Sequence, residues 1–182
     1  LLVLGWVGFN VIDGLVGTVE DAARKIDIPS LSSPQAAKAP TGLAPGSLLR
    51  PSAFERAMAE VRSHDIGQIQ SLRVSPEDIL PTLLTPKGTL VVVQITHDGE
   101  FRRFSESGAG FGHLETIPYD RIDPLVPQRL TRAAAERLGK PVSKIDYVLP
   151  NISQGEVTWG AYFKDGEIFM ANAHGRKLRR IS

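Results

Sequence analysis

The sequence predicts an α+β fold. It reads as two tandem units, each a helix followed by a four-stranded antiparallel sheet, preceded by an N-terminal helix and a disordered linker. Three observations carry this expectation. The last stretch, from Glu156 to Ser182, runs as three strands joined by Asp165-Gly166 and His174-Gly175. Such pairs supply the residues that accept positive φ in tight hairpin turns. The same plan occurs earlier, where Lys87-Gly88 and Asp98-Gly99 flank the strand Thr89 to Thr96 and Phe101-Arg102-Arg103-Phe104 answers to Leu178-Arg179-Arg180-Ile181. An offset within one residue of 77 then relates the halves: Arg102 and Arg179 lie 77 residues apart, Gly99 and Gly175 lie 76, Gly88 and Gly166 lie 78, and Phe54 and Leu130 lie 76. A period this long suits two copies of a small α+β unit and exceeds the roughly 20 to 50 residues of solenoid and propeller repeats.

Residues 1–28 open with L-L-V-L-G-W-V-G-F-N-V-I, uncharged until Asp13. A helix crossing a bilayer needs about 20 apolar residues. Twelve residues rise only about 18 Å, so the stretch reads as the exit end of a membrane anchor, with Trp6 and Phe9 at the interface. Ile12, Val16, Val19, Ala23 and Ile26 then form an apolar helical stripe. A cleaved signal remnant and an ordinary core helix are the competing readings. Residues 29–50 hold four prolines among Ser, Ala and Gly and read as an extended tether.

The first unit spans 51–107. Ser52-Ala53-Phe54-Glu55 matches a capping box, and Phe54, Ala57, Met58 and Val61 share one face of the helix that follows. Strands are expected over Ile69 to Val74, Ile79 to Thr85, Thr89 to Thr96 and Glu100 to Ser105. Pro81 argues for an edge or a bulge in the second of these. Residues 108–122 form the connection between units, with Gly108-Ala109-Gly110-Phe111-Gly112 at its start. That run evokes a phosphate loop, but it lacks the P-loop lysine and no helix follows at once.

The second unit spans 123–182. Asp123-Pro124 opens its helix, or Pro127 marks the first turn. Gly139 stops it ahead of Pro141. Strands follow over Lys144 to Leu149, Val157 to Phe163, Glu167 to Ala173 and Lys177 to Ile181. A four-stranded sheet with one apolar face needs cover. Its own helix supplies that, and two units side by side could make one continuous sheet with both helices on one face.

In this element order the region from Ser52 to Ser182 resembles the PepSY-like and beta-lactamase-inhibitor-protein-like families. The resemblance rests on helix-then-strands units in tandem, not on a sequence motif. It implies an envelope or secreted location and a non-catalytic role in binding or inhibiting proteins, peptidases among them. It carries no site residue over.

Composition narrows the chemistry. The net charge is +1, so no whole-chain field draws nucleic acid. There is no cysteine, which removes disulfides, thiolate catalysis and cysteine-ligated zinc. His64, His97, His113 and His174 fall in no metal-binding spacing, and no G-x-S-x-G elbow is present. The expectation is therefore no enzyme, no cofactor and no metal, with a hydrolase as the least favoured class.

The candidate binding residues are Arg102, Arg103, Arg179 and Arg180 on the last strand of each unit, Phe111 in the connecting loop, and Tyr162. Neighbours on a strand face opposite sides. One arginine of each pair would thus point from the open sheet face, where a basic stripe could hold an anionic partner. The bland alternative is edge-strand protection by charge. The same alternation puts Trp159 and Phe163 on one face and Tyr162 on the other.

The expected function is a non-catalytic, membrane-tethered, extracytoplasmic binding module that recognises a protein or an anionic envelope component. The alternative is a regulatory or inhibitory domain acting on a peptidase or other membrane partner.

Overall fold

The computed structural model describes residues 39–107 and 114–181. Helix α1 (Pro51–Ser63) leads into β1 (Gln68–Val74), β2 (Asp78–Leu84), β3 (Leu90–Thr96) and β4 (Phe101–Ser107). Helix α2 (Val126–Leu138) leads into β5 (Ile145–Ser153), β6 (Glu156–Phe163), β7 (Ile168–Asn172) and the two-residue β8 (Arg179–Arg180). These strands form one antiparallel sheet in the order β4-β3-β2-β1-β5-β6-β7-β8.

The expected fold class is thereby corrected. The described chain is mostly a single eight-stranded sheet with two helices, not two tandem helix-plus-four-stranded units behind an N-terminal helix and a disordered linker. The reason lies in the core. Residues of both helices and of strands β1 to β3 and β5 to β7 belong to one hydrophobic cluster, from Phe54 and Val61 through Leu130 and Ala134 to Trp159 and Phe169. Apolar surface is most fully removed from water when both helices cover one face of one sheet.

The expected transmembrane helix is corrected too: among the described residues no helix is long and apolar enough to cross a membrane. The anchor expected in residues 1–28 lies outside the described residues.

The tether expectation fails where it can be seen. Ser47, Leu48 and Leu49 are fully or almost fully buried. Leu48 N–H bonds the Pro76 carbonyl at 3.0 Å in the β1–β2 turn. Gly42, at φ 52°, passes so close to Val142 that a Cβ would lie 2.6 Å from its carbonyl oxygen. Residues 39–50 therefore run as a strap between the two halves of the sheet. Two leucines in the right place outweigh a proline-rich composition.

Local signals met mixed outcomes. Pro51, not Ser52, opens α1; Arg50 is the N-cap and makes no side-chain capping hydrogen bond. Proline's fixed φ favours the first helical position. Pro127 falls in the first turn of α2, and Gly139 ends that helix in the left-handed region at φ 64°. Pro81 lies on an interior strand, neither at an edge nor at a bulge. The β2–β3 pairing runs at Asp78 and Ile79 and resumes at Thr82. The residue with no N–H to donate sits in that gap.

Alternation sets the two faces. On β2 and β3 every second residue is buried: Ile79, Pro81 and Leu83, then Val91, Val93 and Ile95. The residues between them face away from the helices and are half-buried.

Candidate functional site

The halves of the sheet meet where β1 lies beside β5, and one pair defines that register, Val74 opposite Val148. Both valines are fully buried on the helix-covered face. On the open face beside them, the Arg73 guanidinium lies over the Tyr147 ring, 4.8 Å from its centroid. Tyr147 pairs with Tyr162 across β5 and β6, and their rings stack. The Tyr162 ring in turn covers Gly160, where a Cβ would meet its Cε2 at 2.8 Å. A ladder of arginine, tyrosine and tyrosine thus crosses three strands.

The ladder has physical consequences. Burial first, and Tyr147 second, push the Tyr162 phenol up to about 12. No ion pair found among the described residues involves Arg73. Its guanidinium is attracted by the π-face of Tyr147 and keeps its charge.

Apolar side chains surround the ladder. Leu80 lies opposite Arg73, and farther along the same face, beyond Thr82, Leu84 pairs with Leu90 across β2 and β3. Leu149 and Met170 both lie opposite Gly160. Each of these side chains is half-buried, and among the described residues no helix covers this face. An antiparallel sheet that shows one face to water normally carries polar residues there. Next to the ladder this face instead carries Leu80, Leu149, Met170 and the tyrosine pair, while Asp78, Thr82, Gln94, Thr158 and Asn172 share the rest of it.

The arginines singled out from sequence are not brought together. Arg102 and Arg103 lie on β4 and Arg179 and Arg180 on β8, the two opposite edges of the sheet. Seven strand-to-strand steps of roughly 4.7 Å separate them by about 33 Å. Arg102 pairs with Glu100 at 2.6 Å, Arg103 with Glu106 at 2.7 Å and Arg180 with Glu167 at 2.6 Å. The Glu100 hydrogen bond and charge raise the Arg102 guanidinium further, and Arg102 lowers the Glu100 carboxyl. Arg179 stands opposite Met170 on the open face, exposed. Phe111 lies outside the described residues.

No family model matches the chain, and no curated protein or solved structure is similar enough to it to indicate kinship. The site is therefore argued from its own residues.

Elsewhere the polar groups hold the fold. Lys140, just past α2, reaches Asp165 at 2.5 Å in the β6–β7 turn, which raises the lysine and lowers the carboxyl. His64 stacks on Phe101 with ring centroids 3.8 Å apart and lies 3.1 Å from Glu60. Among the described residues no three His, Asp or Glu side chains converge as metal ligands do. The Tyr119 hydroxyl donates to the Gly67 carbonyl at 3.1 Å beneath Arg62. Burial raises that phenol.

Sequence reasoning found Tyr162 and its outward direction but missed Arg73 and Tyr147. Period-2 alternation reports the direction of Tyr162. Which strand lies beside β5 is a non-local fact, and no local pattern marks Arg73.

Proposed function

We propose that this chain is a non-catalytic binding module that recognises a protein or an envelope component through the open face of its sheet. The observation that carries the reading is the apolar face around Arg73, Tyr147 and Tyr162, uncovered among the described residues. Contiguous apolar surface rimmed by polar groups is a property of interaction sites. Tyrosine and arginine are the residue types on which binding energy concentrates. The partner's matching surface is apolar with a carboxylate or similar anion placed for Arg73. An envelope location and kinship with PepSY-like proteins are part of the same proposal, supported by element order alone.

The test compares the wild-type chain with an Arg73→Glu/Leu149→Lys variant as bait in envelope extracts, followed by reconstitution with the purified partner. Both substitutions lie on the open face and leave the core untouched. The expected result is a partner held by the wild type and released at least tenfold more readily by the variant. Equal retention by both overturns the assignment to this face.

A further inference from the structure

The two ends of the sheet differ. At β8 the sheet ends on two paired residues; at β4 it ends on a seven-residue strand, six of whose residues pair with β3. Every residue from Arg102 to Glu106 is exposed. Phe104 is 46% exposed and is the extra residue where the β3–β4 register shifts. Among the described residues, the outer side of this strand faces no other strand. A strand edge of this length is a template for pairing with another chain unless charge or shape forbids it.

Like charges on β4 exclude several registers, and one that remains sets Arg103 against Glu106 twice. Arg103 lies opposite Val93, and Glu106 lies opposite Val91, so both face the helix-covered side. Arg102 lies opposite Gln94 and Ser105 opposite Val92, on the open side. A second β4 can add antiparallel about a two-fold axis only with side chains of one face opposite each other. Centring the axis on Arg102, Arg103 or Glu106 sets like charges face to face. Centring it on Ser105 does not. There, with Phe104 looped out of each strand, Arg103 stands opposite the partner's Glu106, Glu106 opposite the partner's Arg103, and Arg102 opposite the partner's Ser107.

We propose that β4 pairs with β4 of a second copy of this chain about a two-fold axis at Ser105, joining two sheets edge to edge. Each Arg103 then lies between its own Glu106, at 2.7 Å, and the partner's. A guanidinium has five donors and can serve both carboxylates. The interface is isologous, as closed two-fold dimers require. The proposal does not rest on the open-face reading, although the joined sheets would make the two open faces continuous.

The experiment uses sedimentation velocity of the full chain and two charge variants. Wild type is expected to sediment as a dimer. Arg103→Glu alone and Glu106→Arg alone are expected to be monomers, because each sets like charges opposite one another twice. Mixed in equal amounts, the two variants are expected to form a heterodimer. The acidic side chains at positions 103 and 106 of one variant then stand opposite the basic side chains at positions 106 and 103 of the other. Each variant breaks its own Arg103–Glu106 pair, so lost intrachain stability cannot produce recovery on mixing. The second measurement is cross-linking. The chain has no cysteine, and opposite residues across an antiparallel pair have Cα atoms about 4.5 to 5.5 Å apart, within disulfide reach. Ser105→Cys should oxidise to a covalent dimer at least tenfold faster than the exposed turn control Lys87→Cys. A monomeric wild type, a mixture that stays monomeric, or equal oxidation rates at the two sites overturns the proposal.

Discussion

The ring of Tyr162 lies nearly flat on that of Tyr147, with centroids 4.6 Å apart and planes 17° from parallel. The stack bridges β5 and β6, and Arg73 extends it to β1, across the line where the two halves of the sheet meet. Stacked aromatic pairs contribute about 0.5–1.5 kcal/mol beyond the area they bury. A double-mutant cycle of Tyr147→Leu and Tyr162→Leu, read by urea unfolding, should return a coupling of about 1 kcal/mol. A coupling near zero means that the rings do not support each other.

The same contact makes stability depend on pH at the alkaline end. An unperturbed tyrosine titrates near 10, whereas Tyr162 in the folded chain is raised to about 12. The unfolded chain therefore releases this proton first. The contribution of the neutral phenol is fully present below about pH 10 and is lost as pH rises toward about 12. Phenolate absorbance during an alkaline titration should show a late-titrating group. Tyr162→Phe should abolish that late step and flatten the loss of stability over the same interval.

The strap is tested by a pair of glycines. Gly42 and Gly46 both have positive φ, at 52° and 86°. An added Cβ at Gly42 would meet the Val142 backbone at 2.6 Å, whereas at Gly46 it meets none of the described residues within 4 Å. Alanine in place of Gly46, at the φ farther from the left-handed region that L residues tolerate, carries the greater backbone strain, so a larger loss at Gly42 reports the contact. Gly42→Ala should be less stable than Gly46→Ala by roughly 1–3 kcal/mol, the usual range for overpacking. Thermal or urea denaturation of the two proteins decides it, and equal midpoints would show that residues 39–50 do not lean on Val142.

One buried hydroxyl works against the fold. Thr131 on α2 is fully buried, and its Oγ1 has no hydrogen-bond partner among the described residues. An unsatisfied buried polar group costs about 1–3 kcal/mol. Valine has nearly the same shape without the hydroxyl. Thr131→Val should raise stability by about 1 kcal/mol in urea unfolding, and a loss of stability would show that the hydroxyl finds a partner.

What could be read along the chain was whatever a short window controls. Gly139 ends α2, Asp165-Gly166 turns β6 into β7, and alternation sends Trp159 and Phe163 to one face and Tyr162 to the other. Each of these depends on φ or on a strand's two-residue period, which neighbours in sequence set. The capping box at Ser52 misled because Pro51 starts the helix one residue earlier, with no side-chain capping bond at Arg50. Tertiary structure alone decided the rest. It placed β1 beside β5 in a single sheet and buried Leu48 and Leu49 from a stretch composed like a tether. It sent the two arginine pairs to opposite edges and set Arg73 over Tyr147. These outcomes follow from burying one shared apolar face, which brings together residues far apart in the chain.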